Sequence, residues 1–335
     1  MRVDASAVGN RVVVRSRVGG QGPGGGPAMT DVVGVLVAAD PDRLTVRRRD
    51  GTLVNVRVAD VVTAKTVTGL PGGRPGRGLR IAPEELQRVA DSGWPAPVRR
   101  PLGEWLLRAA GGFTGRANSV SVHGSPDRPF DQALAEIASF YASYGLPPMA
   151  QVVAGSAWES EFARAGWSTK PGSHTGALVQ VAAVRTALRS ASEPGPDAVR
   201  LDRRVSDDWL SLYNRAGDDL DPDVVRGVLE GPAGVVLARL GDPVVAIGRL
   251  VVSGDWAGVA AVEVAPEHRR RGLARQVVDA LLRSADRAGA RWCYLQTMEH
   301  NTAALRLYAG YGFTTHHRYR YLVPGHLISR AAPSR

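Results

Sequence analysis

Residues 265–275 read APEHRRRGLAR, and three arginines in succession, Arg269, Arg270 and Arg271, run directly into Gly272, Leu273, Ala274 and Arg275. The preceding VAAVEV has the composition of a strand, and Pro266 ends it by removing a ladder donor. Leu273, Val277, Leu281 and Ala285 then recur every four residues and form one apolar helical face, closed by Ala288-Gly289. The arginines therefore occupy a strand-to-helix turn, where the first backbone N–H groups lack partners and the helix dipole is positive. Gly272 permits close backbone approach and Ala274 leaves room. Such a turn suits an anion the size of a pyrophosphate. The alternative is a solvated charged face, but cations at a helix start oppose the dipole and cost stability unless an anion offsets them. The turn itself carries neither the Gly-Lys-Ser/Thr of a Walker loop nor a G-x-G-x-x-G dinucleotide fingerprint.

A second group lies downstream in HNTAALRLYAGYGF, residues 300–313. Asn301 has the chemistry of a helix N-cap, and Ala304 and Tyr308 follow it on one helical face. Tyr308 reads either as a phenol able to donate its proton, with an ordinary pKa of ~10, or as a core tyrosine. Glu263 lies in the strand before the arginine turn, and its plain reading is a surface or salt-bridged carboxylate. Glu299 and His300 border the same region. His316-His317 reads as exposed strand polarity in preference to a metal site. Cys293 is the single cysteine and reads as a small buried hydrophobe.

The two segments together resemble the GNAT superfamily of N-acetyltransferases. Arg269-Arg270-Arg271-Gly272-Leu273-Ala274 is similar to its acetyl-CoA motif (Q/R)-x-x-G-x-(G/A), and residues 301–313 to its N-x-x-A-x-x-L-Y-x-x-x-G-F segment. The resemblance covers residues 197–325. It implies acetyl-CoA as co-substrate, with no metal. Backbone amides from Arg270 to Arg275 would hold the CoA pyrophosphate. Val262 and Val264 would offer backbone hydrogen bonds to the pantetheine arm at a splay between two strands. Asn301 would help seat that arm, and Tyr308 would protonate the departing thiolate. An amine would attack the thioester directly, with Glu263 as first candidate base and Glu299 and His300 in reserve.

The elements that must position these residues make a mixed α/β (α+β) chain. Residues 1–68 contain four or five short Val-rich strands, with Asp50-Gly51 as a two-residue hairpin turn, and predict a small SH3-like β-barrel. Residues 19–27 read as an irregular loop, and 69–78, GLPGGRPGRG, as a linker. Residues 79–196 predict a degenerate GNAT-like domain, 197–325 a catalytic one, and 326–335 a tail. The pairing rests on a weak repeat: GSAWESEFARAGW (155–167) set beside NTAALRLYAGYGF (301–313) places Phe162 on Tyr308, Gly166 on Gly312 and Trp167 on Phe313. Phe162 has no proton to give, so the first copy predicts no catalysis. It would shape the acceptor pocket, with Arg116, Asn118 and Ser119 of GGFTGRANS as candidate substrate contacts or as a structural turn. The layout is similar to actinobacterial members described as histone-acetyltransferase-like.

The net charge is +10, carried almost wholly by arginine, and favours anionic ligands. No apolar run approaches the ~18 residues of a membrane span, and the N-terminus has no apolar signal core, which predicts a cytoplasmic protein without membrane partners. The expected partner is an amine acceptor: a protein lysine, a protein N-terminus or a small amine. A tandem arrangement also resembles mycothiol synthase, which would make the acceptor a thiol precursor. Two other classes compete. One is a basic nucleic-acid- or protein-binding module built on the arginines of residues 1–68; that segment contains no aromatic residue, which disfavours stacking on single strands. The other is an acyl-CoA sensor without turnover. Oligomeric state has no signature in the sequence.

Overall fold

The computed structural model describes residue 7 and residues 11–21, 27–48, 52–66, 79, 81–193, 199–215 and 219–330. The chain forms two units, Met1–Pro71 and Gly72–Arg335. The Asp50-Gly51 turn and the 69–78 linker lie outside the described residues.

The first unit is an antiparallel sheet of β1 (Arg11–Gln21), β2 (Pro27–Ala39), β3 (Arg43–Arg47), β4 (Leu53–Arg57) and β5 (Val61–Thr66), in the order β4-β3-β2-β1-β5. Alternation puts Val12, Val14, Val32, Leu36, Leu44 and Val46 on one buried face. Residues 19–21, read from sequence as loop, continue β1. Gln21 still pairs with Pro27 beyond a bulge, and that pairing outweighs the poor strand propensity of two glycines.

The second unit opens with α1 (Pro83–Ser92), which starts on a proline and an acidic first turn. Next come β6 (Val98–Leu102), β7 (Trp105–Ala109), β8 (Val120–Ser121), α2 (Phe130–Ser143), β9 (Ala150–Val153), α3 (Ala157–Arg164), β10 (Trp167–Thr169), β11 (Gly176–Ala183) and α4 (Val184–Leu188). The later half holds β12 (Arg200–Asp202), α5 (Asp207–Leu212), α6 (Pro222–Glu230), β13 (Val235–Leu240), β14 (Ala246–Ser253), β15 (Trp256–Val264), α7 (Leu273–Arg287), β16 (Trp292–Thr297), α8 (Thr302–Ala309), β17 (Thr314–Pro324) and α9 (Gly325–Arg330). Residues 326–330, read as tail, are thus helical.

All strands of this unit join one mixed sheet in the order β12-β13-β14-β15-β16-β11-β17-β9-β8-β7-β6, with β10 also on β17. The halves exchange strands. β11 of the first half lies against β16 of the second, and β17 of the second lies against β9 of the first. β11 and β17 then pair with each other at the centre. In each half one parallel pair, β8–β9 or β15–β16, stands beside this exchange. The boundary near residue 196 therefore runs through a shared sheet. Helices cover both faces: Val277, Leu281 and Ala285 of α7 pack one side of the later half, and Trp209, Val225, Val228 and Leu229 of α5 and α6 pack the other. Around β6 to β9, Ile137, Phe140 and Phe162 close a further core.

Candidate active site

β15 pairs in parallel with β16 only from Trp256 to Val259. Beyond that point the ladder ends, although β15 runs on to Val264 and β16 to Thr297. The cause is local. The β14–β15 register shifts between Ile247 and Arg249, and Ala261 takes a φ of 51°, so an extra residue bends β15 away from its neighbour. Residues 260–264 thus leave backbone groups facing a gap between two strands, which is the splay expected at Val262 and Val264.

The gap opens into a cavity of about 960 Å³. Eight of the residues singled out from sequence line it together: Arg116, Asn118, Val262, Glu263, His300, Asn301, Ala304 and Tyr308. Ser119, Val264 and the arginine turn do not. Residues missed in the sequence also line it, among them Lys170, His174, Tyr213, Arg215 and Gln296. They come from distant segments that the exchanged strands bring together, and none sits in a recognisable motif.

Burial pushes the Glu263 carboxyl above its ordinary range, opposed by a hydrogen bond from the Asn214 backbone N–H (3.0 Å) and by the charges of Arg215 and Arg269. Tyr308 is buried, and desolvation raises its phenol far above the usual value, so it holds its proton. It packs edge-on against Phe313 (5.7 Å between ring centres). Cys293, fully buried nearby, has its thiol pushed up to about 12 by burial and stays neutral. Asn301 caps α8 as the sequence predicts, its Oδ1 accepting from Ala304 N–H at 3.1 Å. Glu299 is ion-paired with Arg318.

The arginine turn follows β15 directly. Arg269 Nε donates to the Val264 carbonyl (3.2 Å), while Arg270 and Arg271 are exposed. Arg270 and Gly272 both take left-handed backbone, φ 66° and 79°, with Gly272 capping α7. Positive φ at two residues of one turn, after an extended Arg269, is a backbone setting in which neighbouring N–H groups can converge on an anion. A Cβ on Gly272 would meet nothing within 4 Å, so the space above the turn is open. Arg275 behaves differently. Its guanidinium folds back onto the Ser190 carbonyl and Ser192 Oγ and lies 5.0 Å from the Tyr311 ring centre. Only its backbone remains a candidate for anion contact.

Asn118 and Ser119 hold the GGFTGR loop. Asn118 Oδ1 accepts from Ala110 and Gly112 N–H, and its Nδ2 donates to the Phe113 and Thr114 carbonyls. Ser119 is fully buried and donates to the Gly115 carbonyl (2.7 Å). Gly115 is required for a different reason: a Cβ there would come within 2.8 Å of the Tyr321 ring. Both polar side chains are spent on the turn, and Arg116 is the charged side chain the loop presents to the cavity.

His316 and His317 are not exposed polarity. β17 is interior to the sheet, so His317 is buried and His316 half-buried, with their Nδ1 atoms 2.8 Å apart. Burial holds the His317 imidazole down at about 3. Among the described residues there is no group of His, Cys, Asp and Glu able to hold a metal, and no helix long and apolar enough to cross a membrane.

Residues 84–322 match the family described as "Probable histone acetyltransferase Rv0428c C-terminal", and residues 6–65 match "Rv0428c N-terminal Sm-like domain". The chain is 31% identical to the "Probable histone acetyltransferase Rv0428c" of Mycobacterium tuberculosis over 94% of its own length and 95% of the relative's. It is 28% identical to the "Uncharacterized N-acetyltransferase YobR" of Bacillus subtilis over 70% of this chain and 97% of that one. Among solved structures, a GCN5-related N-acetyltransferase from Kribbella flavida superposes with a TM-score of 0.53 at 17% identity, covering 72% of this chain and 96% of that one. A tandem GNAT protein from the clavulanic acid biosynthesis pathway does so with a TM-score of 0.50 at 14% identity, covering 75% and 89%. The chain belongs to the family described as "Probable histone acetyltransferase Rv0428c", is an acyltransferase, and has a GNAT fold in its second unit. Its first unit is described there as Sm-like, where strand count alone pointed to an SH3-like type.

Proposed function

We propose that this acyltransferase moves an acetyl group from acetyl-CoA to a primary amine by direct attack. The amine lone pair forms the new C–N bond at the thioester carbon, and the C–S bond breaks. Glu263 accepts the amine proton, directly or through one water, and Tyr308 gives its proton to the departing CoA thiolate. The observation that carries the reading is the meeting of a desolvated carboxylate, a desolvated phenol and a gap of unpaired strand backbone in one cavity. Raised carboxyl basicity suits proton acceptance, and a phenol that holds its proton suits donation to a thiolate.

Arg270, Arg271 and the backbone of residues 270–275 would hold the CoA pyrophosphate, supported by the paired left-handed residues and the open space above Gly272. Val262 and Val264 would hydrogen-bond the pantetheine arm from the unpaired part of β15, with Asn301 bordering it. Calorimetry of acetyl-CoA binding to the wild type and to Gly272→Glu tests the reading. Binding by the wild type and its loss in a folded variant is the expected result. A folded wild type that does not bind acetyl-CoA overturns it.

A further inference from the structure

Arg116 is the most firmly placed cation in the cavity. Its guanidinium lies 4.1 Å from the centre of the Trp94 ring, and Nη1 donates to Gln296 Oε1 at 2.7 Å. Trp94 is itself fixed, with Nε1 donating to Thr114 Oγ1 (2.9 Å) and the buried Arg249 guanidinium also over its ring at 4.7 Å. The loop carrying Arg116 is held by the full hydrogen-bonding capacity of Asn118. Among the described residues Arg116, Lys170 and Arg215 form no salt bridge with a carboxylate, although Arg215 acts on Glu263 at longer range. Among the described residues of the lining, Glu263 is the one carboxylate against these three basic side chains. Arg116 and Glu263 both lie within electrostatic reach of the Tyr213 phenol, so the two charges share one compartment.

The Trp94 ring and Gln296 offset part of the desolvation of this half-buried guanidinium, and with no anion beside it among the described residues a ligand carboxylate would supply the missing charge. The planar fork matches a carboxylate in two parallel hydrogen bonds. We propose that the acceptor amine carries a carboxylate, which Arg116 binds while Glu263 faces the amine. This rests on the transferase reading above and names its substrate class. The same arrangement selects against a lysine-rich peptide, whose further positive charges would approach Arg116, Lys170 and Arg215.

The test uses the full chain and CoA thiol release with three probes: an equimolar pool of free amino acids, the matched pool of amino acid amides, and a lysine-rich peptide. The free amino acids are expected to react with the highest kcat/KM. Arg116→Gln is expected to raise their KM between about 10- and 100-fold with little change in kcat or in acetyl-CoA affinity. Arg116→Lys, which keeps the charge without the fork, is expected to fall between. Equal or better use of the amides or the peptide, or a preference surviving in Arg116→Gln, overturns the proposal. If no probe is acetylated, the transferase reading fails for these amines, and the carboxylate site is judged by thermal stabilisation in the presence of CoA. N-acetyl amino acids must then stabilise the wild type more than N-acetyl amino acid amides do, and Arg116→Gln must lose that difference. No difference in the wild type overturns the site.

Discussion

Phe162 and Tyr308 stand at equivalent points of two helix exits built alike. Phe162 on α3 meets Trp167 edge-on at 5.0 Å, and Tyr308 on α8 meets Phe313 edge-on at 5.7 Å. The glycines before the two exit aromatics, Gly166 and Gly312, have φ of 79° and 80°. The chain thus contains both versions of one joint, with and without the hydroxyl. Phe162 is fully buried and well packed, so the joint tolerates phenylalanine. Tyr308→Phe is therefore expected to leave the melting temperature and acetyl-CoA affinity unchanged and to lower kcat by about 10²-fold or more. Steady-state kinetics beside calorimetry check this; unaltered kcat would return Tyr308 to the role of a core residue.

If Glu263 is the base, it sets a pH dependence. It accepts a proton only as the carboxylate, and burial raises its pKa. Activity is therefore expected to fall as pH drops through that raised value, with an acid limb centred above the ~4.3 of an ordinary glutamate. Glu263→Gln is expected to lower kcat by about 10²-fold and to abolish the limb. A limb that survives the substitution assigns the base elsewhere, with His300 the next candidate because Glu299 is held by Arg318.

The strand exchange carries a prediction about folding. Residues 199–325 alone would lack β11, leaving the β16 side of the parallel pair without its neighbour and Leu178, Val179 and Val181 absent from the centre. That fragment is expected to be insoluble or unfolded and unable to bind acetyl-CoA, whereas residues 79–335 should fold cooperatively. Circular dichroism melts of both fragments decide it; a cooperative melt and binding by the shorter one would mean that the exchange is dispensable.

Helices with an apolar period were legible: α8 follows the Asn301 cap and carries Ala304 and Tyr308, and Val277, Leu281 and Ala285 of α7 are buried, with Leu273 partly so. Short elements without a full period, β6, β10, β12 and α4, were not, because three to five residues carry no repeat. Nor was the exchange of β11 and β17, which depends on pairing between residues more than a hundred positions apart. The same division holds at the site. Tyr308 and Asn301 sit in a contiguous motif, and the splay at Val262 is implied by the family resemblance that the motifs carry. Trp94 and Gln296, which place Arg116, belong to no motif, and Asn118 and Ser119 look in sequence like ligand contacts because polar side chains that brace a tight loop have the same composition as those that bind.

Arg270 and Arg271 set stability against binding. Both are exposed at the start of α7, where positive charge opposes the dipole, and Arg270 also bears a left-handed backbone that favours glycine. Arg270→Gly combined with Arg271→Gln is expected to raise the melting temperature of the ligand-free protein by about 1–2 °C. If the turn holds a pyrophosphate, the same variant should weaken acetyl-CoA binding about tenfold or more and flatten the dependence of that affinity on salt, because two charge-assisted contacts are gone. Thermal melts and calorimetry at two ionic strengths read both effects. A variant that melts higher yet binds acetyl-CoA with wild-type affinity and salt dependence would remove the arginines from the CoA site and leave the backbone nest as its sole anchor.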